Sequence, residues 1–284
     1  MNFPDYFADA DSNFKEAKYV IFGVPFGKTS SFRFGSNLAP KEIRQASWNF
    51  ETYDLRSKTD IVNIKIHDYG DLPVDNLNSL KNITNLSKKI LDENKFPIAI
   101  GGEHSITPFI IKSLPKDISI ISLDAHMDFR KIYENNVNSH ACVLRRISEV
   151  TKIQNIALLG VRSVEKEEFD DANRLGLFYR DVFTIKKKGI LDILKETKKH
   201  IGDNRIYLTF DIDVIDPAFA PGTSTPEPFG LTTFEVLEIF DFFSKQIIGF
   251  DVVEVCPKYD HGQTALLAAK FIRYLIGVTN DNKL

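Results

Sequence analysis

Carboxylates and histidines are concentrated in a few short segments of this sequence. Four aspartates lie in two of these segments, and three of the six histidines lie in or just after them. Closely spaced carboxylates repel one another and are costly to desolvate without a counter-charge, so the pattern indicates a bound cation. The segments are GGEHS at 101–105, DAHMD at 124–128, DID at 211–213 and DVVEVCP, which contains Glu254, and the histidines are His104, His126 and His140.

The spacing within the segments predicts which side chains point together. In an extended segment alternate residues share a face. The residues that this rule groups are Asp124, His126 and Asp128 in the first segment, and Asp211 and Asp213 in the second. With His104 they make two histidines and four aspartates, too many for one tetrahedral zinc ion with an open position. Such a set suits a pair of divalent ions, and its oxygen-rich character favours manganese over copper or zinc.

Each segment alone is a weak signal, because a single DxHxD is more often a loop or a salt-bridge cluster. The inference depends on the position of the segments after predicted strands. Apolar runs of strand length cover 19–24, 96–100, 118–123, 156–161, 205–210 and 247–255, with a weaker run at 61–66. Four of these runs lead directly into the polar segments. The sequence therefore predicts that strand ends gather the ligands.

Helical patterns separate most of the apolar runs. Thr232 and Glu235 have the spacing of a capping box, and 264–276 reads as a last helix rich in Ala and Leu. The face expected to be buried after that box consists of Val236, Leu237, Phe240 and Phe243. Strands that are apolar throughout are typical of a parallel sheet covered on both faces. The predicted fold is α/β, a three-layer αβα arrangement with a mainly parallel central sheet, in which ligands bind beyond the carboxyl ends of the strands.

The composition limits the class of protein. The chain has 284 residues, of which 43% are hydrophobic and 26% charged, which excludes disordered, collagen-like and disulfide-scaffold proteins. It contains no internal repeat, low-complexity tract or linker, so we expect a single domain over 1–284. The 36 basic and 39 acidic residues give a net charge of −3, which does not favour nucleic acid or an anionic membrane as a partner.

The amino-terminal segment lacks the order of a signal peptide, and no apolar run approaches the roughly 18 to 20 residues that span a bilayer. Two cysteines, Cys142 and Cys256, are too few for a disulfide framework. We therefore expect a cytoplasmic protein whose cysteines are buried and neutral and bind no metal. His67, His200 and His261 have no partner pattern and are expected to be structural or on the surface.

The chemistry-bearing segments together resemble the ureohydrolase family, which comprises arginases, agmatinases and their relatives. GGEHS, SLDAHMD, NSHACVLRR, TFDIDVIDPAFAPGTSTPEPFG and DVVEVCPKYD follow one another in family order between 101 and 260. Pro221 and Gly222 are followed at family spacing by Gly230. The stretch GVPFGKTSSFRFGSNLAPKEIRQAS also resembles agmatinases. The resemblance implies a three-layer fold with a two-manganese centre, two Mn²⁺ per subunit, and a homo-oligomer, either a trimer or a hexamer.

The resemblance also implies a ligand set for each ion. Glu103 stands where many members have Asp, but His104 follows at the expected place, so the substitution affects only the surroundings of the ligands. Asp124 and Asp211 are expected to bridge. One ion is implied at His104, Asp124, Asp128 and Asp211, and the other at His126, Asp124, Asp211 and Asp213.

The resemblance implies a reaction in which a metal-bridging hydroxide attacks a guanidinium carbon, and a tetrahedral intermediate collapses to urea and an amine. His140 is the expected proton shuttle and Glu254 the carboxylate that holds the guanidinium through paired hydrogen bonds. Asp128 is expected to be the third catalytic residue, beside His140 and Glu254. The alternatives are purely structural roles, in which His140 caps a helix beginning near Ser139 and Glu254 is a buried structural residue.

The expected substrate is agmatine, cleaved to urea and putrescine, because the SHAC segment is similar to that of agmatinases. The cations Arg130 and Lys131 would repel its tail, so we expect them to face solvent or to pair with acids such as Glu134. Glu165 is the main candidate to bind the distal amine, together with Glu167 and Glu168, although a solvated helix face is an equal alternative. If Arg130 faces inward, an acidic tail such as that of guanidinobutyrate or formiminoglutamate fits better.

Three other functions stay open at this point. The chain could be a ureohydrolase for arginine, a non-catalytic relative that keeps its metals, or a metal-dependent hydrolase of amides or phosphate esters. A small-molecule guanidino substrate is the expected partner.

Overall fold

The structure is a computed structural model that describes residues 3–75 and 77–280. Within these ranges strands and helices alternate along most of the chain. The strands are β1 (Tyr19–Val24), β2 (Tyr53–Asp54), β3 (Thr59–Asp60), β4 (Ile66–Asp71), β5 (Phe96–Gly101), β6 (Ser119–Leu123), β7 (Ile156–Val161), β8 (Phe178–Asp181), β9 (Ile206–Asp211) and β10 (Ile247–Val253). The α-helices are α1 (Ala39–Ser47), α2 (Lys81–Asp92), α3 (Thr107–Ile111), α4 (Val143–Ile147), α5 (Lys166–Leu175), α6 (Val182–Lys188), α7 (Ile190–Ile201), α8 (Thr233–Phe243) and α9 (Gln263–Asn280).

Eight of the strands form one parallel sheet in the order β4-β1-β5-β10-β9-β6-β7-β8. Parallel neighbours cannot be joined by a tight hairpin, so the chain crosses a face of the sheet between them. Every residue of β1, β7 and β9 is buried, as a sheet covered on both faces requires. The short strands β2 and β3 form a separate antiparallel pair.

Each face of the sheet has its own apolar core, because alternate residues of a strand point to opposite sides. Tyr19 and Ile21 of β1 pack in one core with α1, α8 and α9. Val20 and Phe22 pack in the other with α2, α3 and α4. These two cores confirm the three-layer α/β fold.

Six predicted strands lie within two residues of their observed bounds, but the prediction at 61–66 is wrong. Ile61–Asn63 is a turn of 3₁₀ helix, and β4 begins only at Ile66. The sequence also gave no signal for β8. Both β4 and β8 are edge strands, which bury fewer side chains and so carry no continuous apolar run.

The capping box at the start of α8 is confirmed. The Thr232 hydroxyl accepts a hydrogen bond from the Glu235 backbone, and the Glu235 carboxylate accepts one from the Thr232 backbone. Ile239 takes the place expected for Leu237 on the buried face. The last helix, α9, is longer than predicted.

The polar segments follow strands that are neighbours in the sheet. β5, β10, β9 and β6 lie side by side, and their carboxyl ends lead to His104, Glu254, Asp211 and Asp124 respectively. Parallel strands end at one edge, so four distant parts of the chain supply side chains to one place. Among the described residues, the structure contains no helix with the length and apolar character that crossing a membrane needs.

Candidate metal centre and active site

The aspartates that end β6 and β9 are held by local turns. Asp124 Oδ1 accepts a hydrogen bond of 2.6 Å from the His126 backbone, and Asp211 Oδ1 accepts one of 2.9 Å from the Asp213 backbone. The DID segment therefore forms a turn of 3₁₀ helix, Ile212–Val214, and the expectation of an extended segment is wrong there. The turn still brings Asp211 and Asp213 close together. An aspartate carboxylate that accepts a hydrogen bond from the backbone N–H two residues further along closes the chain into an Asx turn.

His104 lies at the centre of one group of carboxylates. Its Nδ1 is 3.1 Å from Asp124 Oδ2, 3.4 Å from Asp128 Oδ2 and 3.4 Å from Asp211 Oδ2. Neither His104 Nδ1 nor Asp124 Oδ2 has a hydrogen-bond partner among the described residues, although both are buried. A buried ring nitrogen that faces three carboxylates and has no hydrogen-bond partner fits a cation between them.

A second group shares Asp124 with the first. His126 Nδ1 lies 2.9 Å from Asp213 Oδ2 and 3.7 Å from Asp124 Oδ1. The ligand atoms of His104, Asp124 and Asp128, and separately those of Asp124, His126 and Asp213, lie within 4.8 Å of one another. The structure thus brings all six sequence-predicted ligands together and places Asp124 between the groups. That Asp211 also bridges stays a prediction.

The charges of the two groups are balanced only if a cation or protons are added. Burial and the charge of Asp124 raise the pKa of Asp128 to about 7, and burial and its neighbouring carboxylates raise the pKa of Asp211 well above its usual range. Burial opposes ionisation of Asp124 as well, but the two imidazoles lower its pKa to about 2. Burial disfavours charged His104 and His126, yet the carboxylates raise both pKa values well above the usual one. This donor set fits a pair of divalent ions.

Glu254 lies next to the cluster in a left-handed backbone conformation, with φ of 63°. Its Oε1 accepts a hydrogen bond of 2.7 Å from the His104 backbone, and its side chain lines the cleft. Burial and the charge of Glu103 raise the pKa of Glu254 to about 8. A buried carboxylate that faces a cleft and is reluctant to ionise alone suits a cationic ligand.

His140 lines the same cleft, whose volume is about 260 Å³. Burial lowers the pKa of its imidazole. The 3₁₀ helix His140–Cys142 is capped by Ser139, whose hydroxyl accepts a hydrogen bond from the Ala141 backbone. The alternative in which the His140 side chain itself caps a helix is therefore wrong.

Arg130 lines the cleft but does not stand there as a free cation. Its Nη1 lies 3.3 Å from Glu165 Oε2, and its Nε lies 3.8 Å from Glu168 Oε2. Its acidic partners are thus Glu165 and Glu168, where Glu134 was named as an example, and both belong to the capping box at the start of α5. Lys131 pairs with Asp171 at 2.9 Å, away from the cleft.

Glu167 does not line this cleft. It lines a second cavity, of about 160 Å³, which shares Arg130, Glu165 and Glu168 with the first. Of the three predicted tail-binding acids, the structure therefore places Glu165 and Glu168 at the cleft.

The comparison with known proteins identifies the family. The model of the Arginase family matches residues 17–277. The chain belongs to the arginase family. It is 37% identical over 280 residues to an agmatinase of Bacillus cereus, covering 95% of this chain and 94% of that protein. It is 36% identical over 270 residues to an N(1)-aminopropylagmatine ureohydrolase of Thermococcus kodakarensis, covering 93% and 91%. The crystal structure of agmatine ureohydrolase of Thermoplasma volcanium superposes with a TM-score of 0.94 at 38% identity, covering 99% and 96%.

These matches confirm the resemblance to ureohydrolases and agmatinases. As an arginase-family hydrolase, the chain is a metal-dependent amidinohydrolase by class. Its two cysteines are free and buried, and burial raises the pKa of each thiol to about 11, so both are neutral as expected. His67 bonds to the Ser12 carbonyl and His200 stacks on Phe178, which makes both structural.

The sequence did not reveal the residues that support the six candidate ligands. His104 Nε2 lies 3.0 Å from Thr209 Oγ1, and Thr209 donates a hydrogen bond of 2.6 Å to Asp251 Oδ1. Asp251 is fully buried and also accepts from Tyr207 and Thr107. Tyr207, Thr209 and Asp211 are alternate residues of β9, so their side chains lie on the same face of the strand. This spacing could have indicated from the sequence that Tyr207 and Thr209 lie behind Asp211.

Arg162 supports the turn that carries Asp213. Its guanidinium donates to the backbone carbonyls of Asp213 at 2.7 Å, Glu227 at 2.7 Å and Pro228 at 2.9 Å, and also to that of Val214. One side chain thereby fixes two loops at the rim of the site. Arg162 directly follows β7, and a charged residue at the carboxyl end of a parallel strand could have been recognised from the sequence as a site residue.

Proposed function

We propose that this protein is a binuclear-manganese agmatinase that hydrolyses the guanidinium group of agmatine to urea and putrescine, with the whole chain, 1–284, forming one hydrolase domain. The observation that carries the proposal is the convergence of two imidazoles and four buried carboxylates beside a cleft lined by Glu254 and His140. The agmatinases among its relatives support the same substrate.

The proposed ligands of one ion are His104, Asp124, Asp128 and Asp211, and those of the other are His126, Asp124, Asp211 and Asp213. When bound, the ions supply the Lewis acidity that lets water act as a nucleophile at neutral pH. The carboxylates and imidazoles of this chain hold the ions and neutralise one another's charge.

Glu254 is proposed to orient the substrate. A guanidinium is a planar fork of N–H donors that a carboxylate can accept through paired hydrogen bonds. One oxygen of Glu254 already accepts from the His104 backbone, which fixes the carboxylate and leaves the other oxygen and a remaining lone pair for the substrate. The positive charge of a bound guanidinium lowers the pKa of Glu254 and so favours its ionised form.

His140 is proposed to donate a proton to the departing amine as the carbon–nitrogen bond breaks. A positioned acid of this kind contributes about 10²- to 10⁴-fold. The imidazole lies in the wall of the cleft that we propose as the substrate site.

The outer part of the cleft favours a cationic tail. Glu165 and Glu168 present two carboxylates to the single guanidinium of Arg130. We propose that Glu165, half exposed at the cleft, binds the distal ammonium of agmatine. Because Glu165 and Glu168 pair with Arg130, its guanidinium is not free to attract the acidic tail of guanidinobutyrate or formiminoglutamate, although Arg130 does face inward.

N(1)-aminopropylagmatine is a second candidate substrate. The cavity of about 160 Å³ shares the lining residues Arg130, Glu165 and Glu168 with the cleft and adds two further carboxylates, Glu167 and Asp171, beside Lys131, so we propose it as the place for a longer cationic tail. One relative carries that activity in its name.

The experiment is a comparison of substrates on purified protein incubated with Mn²⁺. Urea release is measured from agmatine, N(1)-aminopropylagmatine, arginine and guanidinobutyrate, and formamide release from formiminoglutamate. We expect the highest kcat/KM for agmatine, with putrescine as the second product. Formamide production would contradict the proposed specificity, and two bound ions without release of either product would make the chain a non-catalytic relative. We further propose that the protein is cytoplasmic and forms a homo-oligomer, a trimer or a hexamer. Light scattering of the purified protein tests the oligomeric state.

A further inference from the structure

The loop that follows β1 contacts both ring nitrogens of His140. Thr29 Oγ1 lies 3.3 Å from His140 Nδ1, and Ser31 Oγ lies 3.3 Å from His140 Nε2. The His140 backbone also donates a hydrogen bond of 3.0 Å to Thr29 Oγ1. Thr29 and His140 are 111 residues apart in the chain, so this contact exists only in the folded protein.

Glu103 holds Thr29 in place. The Thr29 backbone donates to Glu103 Oε2 at 2.7 Å, and the Thr29 hydroxyl donates to Glu103 Oε1 at 2.7 Å. The Ser105 hydroxyl donates to the same Oε1 at 2.6 Å. Glu103 has no exposed surface, so these hydrogen bonds take the place of water around its carboxylate.

This arrangement decides which ring nitrogen of neutral His140 carries the hydrogen. A hydroxyl has a single hydrogen, and the Thr29 hydroxyl donates it to Glu103 Oε1. Thr29 therefore offers a lone pair to His140 Nδ1, and the contact is attractive only if Nδ1 bears a hydrogen. The Ser139 hydroxyl, also 3.3 Å from Nδ1, can turn to accept or to donate and so does not decide.

We propose that Thr29 is a positioning residue that, together with Glu103, fixes the orientation and tautomer of His140. With the hydrogen on Nδ1, the Nε2 atom faces Ser31 and the cleft. There Nε2 takes up a proton from solvent and gives it to the amine nitrogen as the carbon–nitrogen bond breaks. The hydrogen on Nδ1 stays there throughout and is donated in a hydrogen bond to Thr29 Oγ1. The inference rests on the proposed role of His140 in the reaction.

The kinetic test uses Thr29→Val, which removes the hydroxyl and nearly conserves the shape. We expect kcat to fall about 10- to 100-fold, as when a group that orients an active-site side chain is removed, while KM and bound manganese stay unchanged. Thr29→Ser, which keeps the hydroxyl, restores most of the lost kcat. The matched control is Thr151→Val, because the Thr151 hydroxyl is buried without a hydrogen-bond partner among the described residues.

A double-mutant cycle separates positioning from a general structural role. In the His140→Ala background, Thr29→Val should lower kcat no further, because there is no imidazole left to orient. An equal loss in both backgrounds overturns the inference. If Thr29→Val does not fold, Thr29→Ala, which also lacks the hydroxyl, takes its place in the cycle.

The tautomer itself is measured by nitrogen-15 NMR of histidine-labelled protein loaded with a diamagnetic divalent ion. We expect the hydrogen of neutral His140 on Nδ1 in the wild type and a mixture of tautomers in Thr29→Val. Hydrogen on Nε2 in the wild type, or an unchanged tautomer in the variant, overturns the inference. This readout needs no turnover, so it decides the matter even if the wild type releases no urea and the proposed function fails.

Discussion

The hydrogen-bond chain behind His104 gives a prediction that can be worked from the structure. The imidazole Nε2 meets Thr209 Oγ1, and Thr209 donates to the buried carboxylate of Asp251. Because that hydrogen goes to Asp251, the Thr209 oxygen accepts from Nε2–H, and Nδ1 is the ring nitrogen left to bind an ion among the carboxylates. The perturbation is Thr209→Val, which removes the hydroxyl with almost no change of shape.

The expected cost has two parts. A hydrogen bond to a charged acceptor contributes about 1.5 to 3 kcal/mol, and a buried N–H left without a partner costs about 1 to 3 kcal/mol. His104 is 1% exposed, so water cannot replace the lost partner without a rearrangement. We expect Thr209→Val to lower the free energy of unfolding of the metal-free protein by roughly 3 to 5 kcal/mol, and to weaken manganese binding about tenfold or more.

Chemical denaturation of the metal-free variant and wild type at pH 7, followed by calorimetric titration with Mn²⁺, measures both effects. Thr197→Val is the matched control. Thr197 is equally buried, but its hydroxyl donates to the Ile193 carbonyl inside α7, so the control should lose no more than about 1 kcal/mol. If the two variants differ by less than about 1 kcal/mol, the reasoning about the His104 chain is wrong.

Other predictions concern the ions and the substrate. His104→Ala and Asp211→Ala should each bind fewer than two ions per subunit by metal analysis and release no urea, and two tightly held ions in either variant would contradict the assigned ligands. Glu254→Gln should keep both ions but lose at least about 100-fold in kcat/KM, because removing a buried charge pair costs about 3 kcal/mol or more; a fall in ion content would make it a ligand. Glu165→Gln should raise KM for agmatine about two- to fivefold with kcat unchanged, since an exposed pair contributes up to about 1 kcal/mol; an unchanged KM would remove it from the tail site. The carboxylates raise the pKa values of His104 and His126 in the metal-free protein, so Mn²⁺ displaces protons at pH 7 and its affinity rises with pH; calorimetry in buffers of different ionisation enthalpy checks this, and a binding enthalpy independent of buffer would refute it.

The gathering of the candidate ligands could be predicted from the sequence because their position follows from a simple rule. His104, Asp124 and Asp211 come after apolar strands, and parallel strands end together. The order of the strands is not written in any local segment, however. That β5, β10, β9 and β6 are neighbours depends on contacts between distant parts of the chain, so the sequence located the edge of the sheet without the geometry of the cluster.

The orientation of single side chains was harder to predict. Arg130 was expected either to leave the cleft or to charge it, and it does neither, because Glu165 and Glu168 neutralise it there. Thr29 lies in the stretch that resembles agmatinases, but no role was assigned to it, since a threonine in a polar loop is ordinary. Its contacts with Glu103 and His140 arise only when β1 and β5 pair, which brings the loop after one beside the segment after the other.

The backbone at the site shows what this arrangement costs. Asp128 and Glu254 both have left-handed conformations, with φ of 48° and 63°, which side chains larger than glycine rarely adopt. Each such residue costs of order 1 to 3 kcal/mol and persists only where its surroundings hold it. Glycine would remove the strain but also the carboxylate, and both carboxylates line the cleft. The strained backbone at these two positions does not contribute to stability. What the two carboxylates can contribute, since both face the same cavity, is the binding of a cationic group.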